Sequence, residues 1–176
     1  MPKVLTNVRE GILLVGRELL AESGYDNLSM RQIAQRCGIS VGTLYNHFPS
    51  KKMLVSDILR AQWDAHFRRM QQSAKAAGEL VDRLMDVYSE LRRFLRDIHN
   101  AWVVGSLGTM DCVDFHNVQG QRAFVRQCVR ELMEGMLPTG DRWLADGISR
   151  LFFAYAGEEV DDADALLPDV LRRMIG

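Results

Sequence analysis

The sequence predicts an all-α protein, and three observations lead to that fold class. Apolar residues recur at intervals of three and four along most of the chain, as on one face of a helix. No segment alternates apolar and polar residues as a half-buried strand does. An apolar content of 47% with 26% charged residues is typical of a globular protein, and 176 residues fit one domain or a small unit joined to a larger one.

The first helix is predicted from the apolar residues between Val8 and Leu19, which recur at i, i+4, i+7 and i+11. It should run to about Glu22. Ser23 and Gly24 then end it, because glycine readily adopts the left-handed conformation that closes a helix.

Two short helices follow. The second begins at Ser29, which has with Gln32 the S-x-x-Q spacing of a capping box, and Gly38 ends it. Ser40 can cap a third helix over about 41–47, so the turn between the two is only about three residues long. Two short helices joined by a tight turn that contains glycine predict a helix-turn-helix.

The rest of the chain also has helical spacing. We expect helices over about 50–76 and 79–98, in part of 99–115, in the apolar stripe that ends near Pro138, over 141–157 and in the C-terminal segment. The helix over 141–157 is apolar on most of its circumference, so it should be buried on several sides. Pro168 either kinks the last helix or lies in the first turn of a shorter one.

The third helix has few residues that can be buried. Those expected in the core of the helix-turn-helix are Ile33, Ala34, Cys37, Ile39 and Leu44. The remaining residues of 40–47 should face outward. Gly42 would let a partner approach the backbone, and Thr43 offers a methyl and a hydroxyl suited to a thymine methyl or a phosphate. Tyr45, His47 and Lys51 could follow a sugar-phosphate backbone, so this surface is either a DNA-facing helix or an ordinary exposed connector.

The distribution of charge supports a nucleic-acid partner although the net charge is only −1. Residues 1–60 contain eight Lys/Arg against five Asp/Glu, whereas residues 61–176 contain fourteen against eighteen. The first part is therefore basic and the second acidic, which suggests a basic head on an acidic body.

The segment ESGYDNLSMRQIAQRCGISVGTLYNHFPSKKML, within about Ile12 to Leu59, resembles the DNA-binding domain of the TetR family of transcriptional repressors. The matching features are the Gly-Tyr before the second helix, the Ile-Ala within it, the Gly-Ile-Ser turn and the run T-L-Y-x-H-F-x-x-K. The resemblance implies a three-helix DNA-binding domain over 1–49 and a larger helical domain for ligand binding and dimerisation over 50–176.

The resemblance further implies a cytoplasmic, ligand-responsive repressor whose homodimer binds a palindromic double-stranded DNA operator. A small-molecule effector in the C-terminal domain would change the separation of the two DNA-binding heads and release the DNA. By position, the residues at base edges would be Arg31, Val41, Gly42 and Thr43, and those at phosphates Ser29, Tyr45, His47 and Lys51. Ser40 and Asn46 lie on the same surface, with Asn46 at a position that varies in the family.

Large apolar side chains in the acidic part could line a cavity for the effector, although such residues at helical spacing are more often plain core. The candidates are Trp63, Phe67, Met70, Met85, Tyr88, His99, Trp102, Phe124 and Cys128. The dimer surface is expected on the last two helices, at Leu144, Ile148, Leu151, Phe152, Tyr155, Leu167, Val170, Leu171 and Met174. A symmetric four-helix contact would bury both helices.

Other candidate sites have an ordinary alternative. The arginine rows at 92, 93 and 96 and at 122, 126 and 130 could meet an anionic ligand, or could be solvated faces paired with Glu131 and Glu134. Cys112, Asp114 and His116 supply too few ligands at readable spacing to predict a metal site. A redox role for a cysteine would require thiolate character, which the sequence does not indicate.

These patterns separate the classes of function. No nucleophile–base pair, paired carboxylates or phosphate-binding glycine loop is readable, so we expect neither an enzyme nor a cofactor. Three cysteines without a C-x-x-C spacing fit a reducing cytoplasm, and no apolar run approaches the ~20 residues of a membrane helix. The alternative to a DNA-binding repressor is a helical regulator of the same fold that acts through a protein partner.

Overall fold

The structure, a computed structural model, describes residues 8–103, 115–138, 140–157 and 163–176. These ranges contain α-helices and no strand, which confirms the all-α prediction. The helices are α1 (Val8–Asn27), α2 (Met30–Cys37), α3 (Val41–His47), α4 (Lys51–Lys75), α5 (Leu80–Val103), α6 (Phe115–Met136), α7 (Arg142–Gly157) and α8 (Ala163–Ile175). Within these ranges no helix is both long enough and apolar enough to cross a bilayer.

The described residues form two compact units. The first contains the chain up to Asp64 and the end of α5 from Asp97. The second contains Ala65–Arg96 and the described segments from Phe115 onward. Each unit has its own apolar core, which is the usual requirement for a separate structural unit.

The first unit packs α1, α2 and α3 with the beginning of α4. Ile12, Ile33, Leu44 and Leu54 are fully buried in its core. Gly16 lets α1 approach α4 closely, because an added Cβ would lie only 2.8 Å from Ile58 Cδ1. The close packing of these helices gives the helix-turn-helix a rigid support.

The boundaries of the first unit differ from prediction in two details. Gly24 interrupts α1, but its φ of 72° and ψ of 175° are not the left-handed helical conformation expected there, and the helix continues beyond it to Asn27. The predicted capping box is wrong: Ser29 is the N-cap of α2, yet its side chain makes no capping hydrogen bond. The spacing S-x-x-Q therefore locates the helix start correctly without forming the reciprocal bonds.

The second unit buries Leu84, Val87 and Leu91 of α5 with Val129 of α6 and Ile148 of α7. The rings of Tyr88 and Phe152 pack against each other with centroids 5.2 Å apart. Burial extends around α7 only in part, because one side chain of that helix, Trp143, is 88% exposed.

Two boundaries in the second half of the chain are also informative. α5 continues to Val103, so the start of the irregular segment predicted over 99–115 belongs to that helix, while 104–114 lie outside the described residues. Pro168 lies in the interior of α8, which excludes the alternative that it opens a shorter helix.

Candidate nucleic-acid interface

The turn between α2 and α3 is built from backbone geometry that the sequence specifies locally. Gly38 has φ 68° and ψ 28°, the left-handed conformation, and its N–H donates to the Gln35 carbonyl. The next amide, that of Ile39, donates to the Ala34 carbonyl over 3.0 Å. This double closure ends α2 and turns the chain at once into α3.

Ser40 starts α3 as predicted. Its Oγ accepts a hydrogen bond of 2.9 Å from the Thr43 amide and lies 2.8 Å from Thr43 Oγ1. Leu44, fully buried, anchors the helix to the core, and Phe48 is buried just after its end. The cap and the anchor together fix the orientation of a helix of seven residues.

The other face of α3 points away from the core. Val41, Gly42, Tyr45, Asn46 and His47 are all exposed. At Gly42 an added Cβ would meet nothing nearer than Ser40 Oγ at 3.7 Å, so packing within the chain does not require glycine there. The predicted outward residues of the third helix are therefore brought together on one open surface, with Thr43 partly buried at its edge.

The two α2 candidates lie at the start of that helix. Arg31 is exposed, and Ser29 is half-buried at the N-cap. Lys51 differs from the other candidates, because its Nζ donates to the Asp26 carbonyl over 3.1 Å and lies 4.5 Å from the centroid of the Tyr25 ring. Its ammonium group is thus engaged within the first unit.

The predicted effector-cavity residues have mixed environments. Met70 and Tyr88 are fully buried, and Trp63 nearly so. Phe67, Met85 and Cys128 are partly buried, and Phe124 is 58% exposed. The side chains of His99 and Trp102 lie outside the described residues. The Tyr88 hydroxyl is buried, and within the described part of the chain it has no hydrogen-bond partner.

The residues predicted for the dimer surface also divide. Ile148, Phe152, Leu167 and Leu171 are buried within the chain itself, so in this arrangement they belong to its own core. Leu144, Leu151, Tyr155 and Val170 are partly buried, and Met174 is exposed. Sequence reasoning missed Trp143 and Leu166, the most exposed large apolar residues of α7 and α8. A tryptophan outside the apolar stripe of α7 was the available signal.

Four arginines of the two rows have a partner among the described residues. Arg92 bonds to Asp164, Arg93 to Glu90, and Arg130 to Glu134 at 2.9, 3.2 and 3.4 Å. Arg126 lies over the Phe153 ring. These contacts favour the solvated-face interpretation over an anionic ligand.

The metal and thiol candidates gain no support. Cys112 and Asp114, and the side chain of His116, lie outside the described residues, and within the described ones no group of three possible ligands occurs. Burial raises the pKa of the Cys37 thiol. Burial, together with the charge of Glu131, likewise raises the pKa of the Cys128 thiol. Raised values disfavour the reactive thiolate.

One buried polar group was not predicted at all. Glu90 accepts hydrogen bonds from Arg69 and Arg93 and lies beside His66, and both Glu90 and His66 are buried. Burial raises the pKa of the Glu90 carboxyl, but the hydrogen bonds and charges of Arg69 and His66 outweigh it. The pKa therefore lies below its ordinary value.

Comparison with known proteins identifies the first unit. The sequence profile of the family described as bacterial regulatory proteins, tetR family, matches residues 12–58. The chain is 38% identical over 85 residues to the HTH-type transcriptional regulator UidR of Escherichia coli, covering 47% of this chain and 43% of that protein. It is 25% identical over 131 residues to the fatty acid metabolism regulator protein of Bacillus subtilis, covering 74% and 63%. The chain thus spans between about two fifths and two thirds of the length of these relatives.

The resemblance in fold extends over nearly the whole chain. The crystal structure of the transcriptional regulator FadR from Bacillus subtilis in complex with stearoyl-CoA has a TM-score of 0.64 and 20% identity. The match covers 95% of this chain and 97% of that one. Residues 12–58, which contain the helix-turn-helix over 30–47, thus match the tetR family of bacterial regulatory proteins.

Proposed function

We propose that the chain is a transcriptional repressor that binds a palindromic DNA operator as a homodimer and responds to a small-molecule effector. The observation that carries the proposal is the open face of α3, where four exposed side chains lie around Gly42, a glycine that internal packing does not require. A chain that only needed a soluble connector would gain helix stability by placing alanine there.

The base-reading residues of the proposal are Arg31, Val41, Gly42 and Thr43. Arg31 can donate to guanine O6 and N7, which is the commonest specific contact in the major groove. Gly42 permits close approach of the α3 backbone. Because the Thr43 hydroxyl is engaged with Ser40, its methyl group is the part left to contact a thymine methyl.

Ser29, Tyr45 and His47 would contact phosphates and so fix the register of α3 in the groove. Tyr45 and His47 are exposed and can donate to phosphate oxygens. Ser40, occupied with the cap, and Asn46 complete the surface. Contacts of this kind raise the affinity for every sequence and discriminate little between sequences.

The dimer of the proposal uses α7 and α8. Trp143, Leu166 and Met174 leave large apolar side chains exposed on these helices, and a second copy would bury them. Two copies related by a twofold axis would present their α3 helices to half-sites about 34–36 Å apart, one turn of B-DNA. That geometry is the reason to expect a palindrome.

The effector would bind in the second unit, among those predicted cavity residues that belong to it: Phe67, Met70, Met85, Tyr88, Phe124 and Cys128. The similarity in fold to a regulator crystallised with stearoyl-CoA supports a ligand-binding role for this unit. Tyr88 could offer its buried hydroxyl to a polar group of the ligand. A repressor of this kind acts in the cytoplasm, on chromosomal DNA, and catalyses no reaction.

The test is selection from a random-sequence duplex library, followed by binding assays at several salt concentrations. We expect an enriched inverted repeat, with log K falling linearly with log salt concentration. The matched control is Arg31→Ala, which should relax base preference and cost about 1–3 kcal/mol per half-site. Recovery of no preferred sequence would contradict the proposal and favour the alternative, regulation through a protein partner.

A further inference from the structure

Lys51 is placed in an unusual position for a residue of a DNA-contacting surface. It lies in the first turn of α4, which contains no acidic residue and where the helix dipole disfavours a positive charge. Its ammonium group instead donates to the Asp26 carbonyl over 3.1 Å. Asp26 lies in the last turn of α1, where carbonyls have no partner within the helix and the dipole favours a cation.

The aromatic ring of Tyr25 provides a second contact for the same ammonium group. Lys51 Nζ lies 4.5 Å from the ring centroid, within the range of a cation–π interaction. Tyr25 is itself partly buried against the apolar core, so its ring is held in place. Two independent contacts thus fasten Lys51 to the end of α1.

These contacts join the two ends of the helix-turn-helix segment. The turn that leads into α2 begins at Tyr25, whose carbonyl accepts a hydrogen bond of 3.2 Å from the Leu28 amide. Lys51 follows α3 at the start of α4. The bond between Lys51 and Asp26 therefore joins two residues 25 positions apart in the sequence, and the segment between them contains α2, the turn and α3 entirely.

We infer that Lys51 is a positioning residue, which holds the helix-turn-helix in its DNA-binding orientation through Asp26 and Tyr25 and does not contact phosphate. The inference rests on the proposed function. It replaces the phosphate contact that the resemblance assigns to this position. Fastening the entry to α2 and the exit from α3 restricts rotation of both helices on the core, which preorganises the surface for the major groove.

The direct test is the NMR signal of the Lys51 ε-methylene protons, which the Tyr25 ring should shift upfield. We expect this shift in the free protein, its loss in Tyr25→Leu, and its retention when the selected operator duplex is added. Loss of the shift on adding operator would overturn the inference, because Lys51 would then have left the ring for the DNA.

Binding measurements give an independent test. Tyr25→Leu removes no charge, yet we expect it to lower operator affinity about 5- to 30-fold in the dimer, as the loss of two cation–π contacts would. Lys51→Met should lower it by a similar factor, and the double variant by little more than either. Lys52→Met, which removes the same charge one residue further on, is the matched control for general electrostatics.

The salt dependence separates the two roles. A lysine–phosphate contact contributes about 0.9 to the slope of log K against log salt, so two contacts contribute roughly 1.8. If Lys51 only positions, the slope of Lys51→Met should equal that of Lys52→Met. A slope lower than that of Lys52→Met by about 1 or more, with Tyr25→Leu binding normally, would overturn the inference.

Failure of the inference about Lys51 can be told apart from failure of the proposed DNA binding. If no DNA sequence is selected, the proposed function fails. The contacts of Lys51 with Tyr25 and Asp26 would still be measured in the free protein. Their signs are the ring-current shift and faster hydrogen exchange of the Leu28 amide in Tyr25→Leu. Unchanged exchange and an unshifted Lys51 signal in the free protein would show that these contacts do not form.

Discussion

His66 Nδ1 lies 2.8 Å from Glu90 Oε1, with both side chains buried, and this pair joins α4 to α5 within the second unit. Arg69 donates to the same carboxylate oxygen, and Arg93 Nη1 donates to the other over 3.2 Å. One carboxylate is therefore held by three side chains. Because Glu90 is ionised, the His66 ring is expected to place its proton on Nδ1 and donate it.

Replacing this carboxylate should destabilise the protein. Glu90→Gln keeps the shape but removes the charge, and we expect a loss of about 2–3 kcal/mol in the free energy of unfolding, since hydrogen bonds to charged groups are the strong ones. The loss stays below that of a fully buried pair because Arg69 and Arg93 are largely exposed and remain hydrated. Glu131→Gln, at an exposed carboxylate, is the control and should cost under about 0.5 kcal/mol in urea unfolding.

The same carboxylate predicts how stability depends on pH. The folded-state pKa of Glu90 lies below the ordinary value of 4.5, so its contribution is fully present above that value and is lost as the pH falls through the lower folded pKa. The difference in unfolding free energy between the wild type and Glu90→Gln should be constant from about pH 5.5 to 7 and shrink toward pH 3. A difference that grows on acidification would mean that the carboxyl is buried in its neutral form.

The helix-turn-helix was predictable because its determinants are local. Gly38 ends one helix through its own backbone conformation, Ser40 caps the next through its own hydroxyl, and both act within four residues. The Glu90 group was not predictable, since His66 and Glu90 are 24 residues apart and meet only when two helices pack in one register. Long-range polar contacts leave no periodic signal in a sequence.

Hydrophobicity also could not separate buried from exposed positions. Phe152 and Trp143 lie on one helix and both are aromatic, yet the first is fully buried and the second exposed. Large apolar residues occur both in the core and on the surface, so their spacing in the sequence does not show which of them is buried. The described residues of α7 and α8 assign four of the nine predicted interface positions to the core of the chain itself.

Two glycines in the DNA-binding unit should respond oppositely to alanine. Gly38→Ala should cost about 1–2 kcal/mol of stability, because alanine would have to adopt a φ of 68°. The added Cβ would have no neighbouring atom within 4 Å, so no clash contributes to this cost. Gly42→Ala should leave stability unchanged or raise it by up to about 1 kcal/mol, because its surroundings are open. The same Gly42→Ala should weaken operator binding by about 1–3 kcal/mol per half-site, as an added methyl would prevent close approach. Thermal unfolding and operator titration of both variants check this, and normal binding by Gly42→Ala would remove the argument for close approach.

Tyr45 should contribute affinity without specificity. Its side chain is 46% exposed, so Tyr45→Phe removes only a hydroxyl and should not alter folding. Losing one phosphate hydrogen bond per protomer should weaken DNA binding by the dimer by about 1–3 kcal/mol, for operator and random DNA alike. Competition assays with both duplexes measure the ratio. If the ratio of operator affinity to random-DNA affinity falls while random-DNA binding is unchanged, Tyr45 contacts a base edge instead.

Trp143 and Phe152 allow the dimer surface to be tested apart from the core. Trp143→Glu introduces a charge at an exposed site. We expect it to weaken the free energy of dimerisation by about 2 kcal/mol or more, as at the centre of an interface. Sedimentation over a dilution series measures this, and far-UV circular dichroism should show unchanged helicity. Phe152→Ala, at the ring packed 5.2 Å from Tyr88, should instead cost about 3–5 kcal/mol of stability through the cavity it leaves. If Trp143→Glu associates like the wild type, the exposed face of α7 is not the dimer surface, and the twofold arrangement of the DNA-binding heads must come from another face.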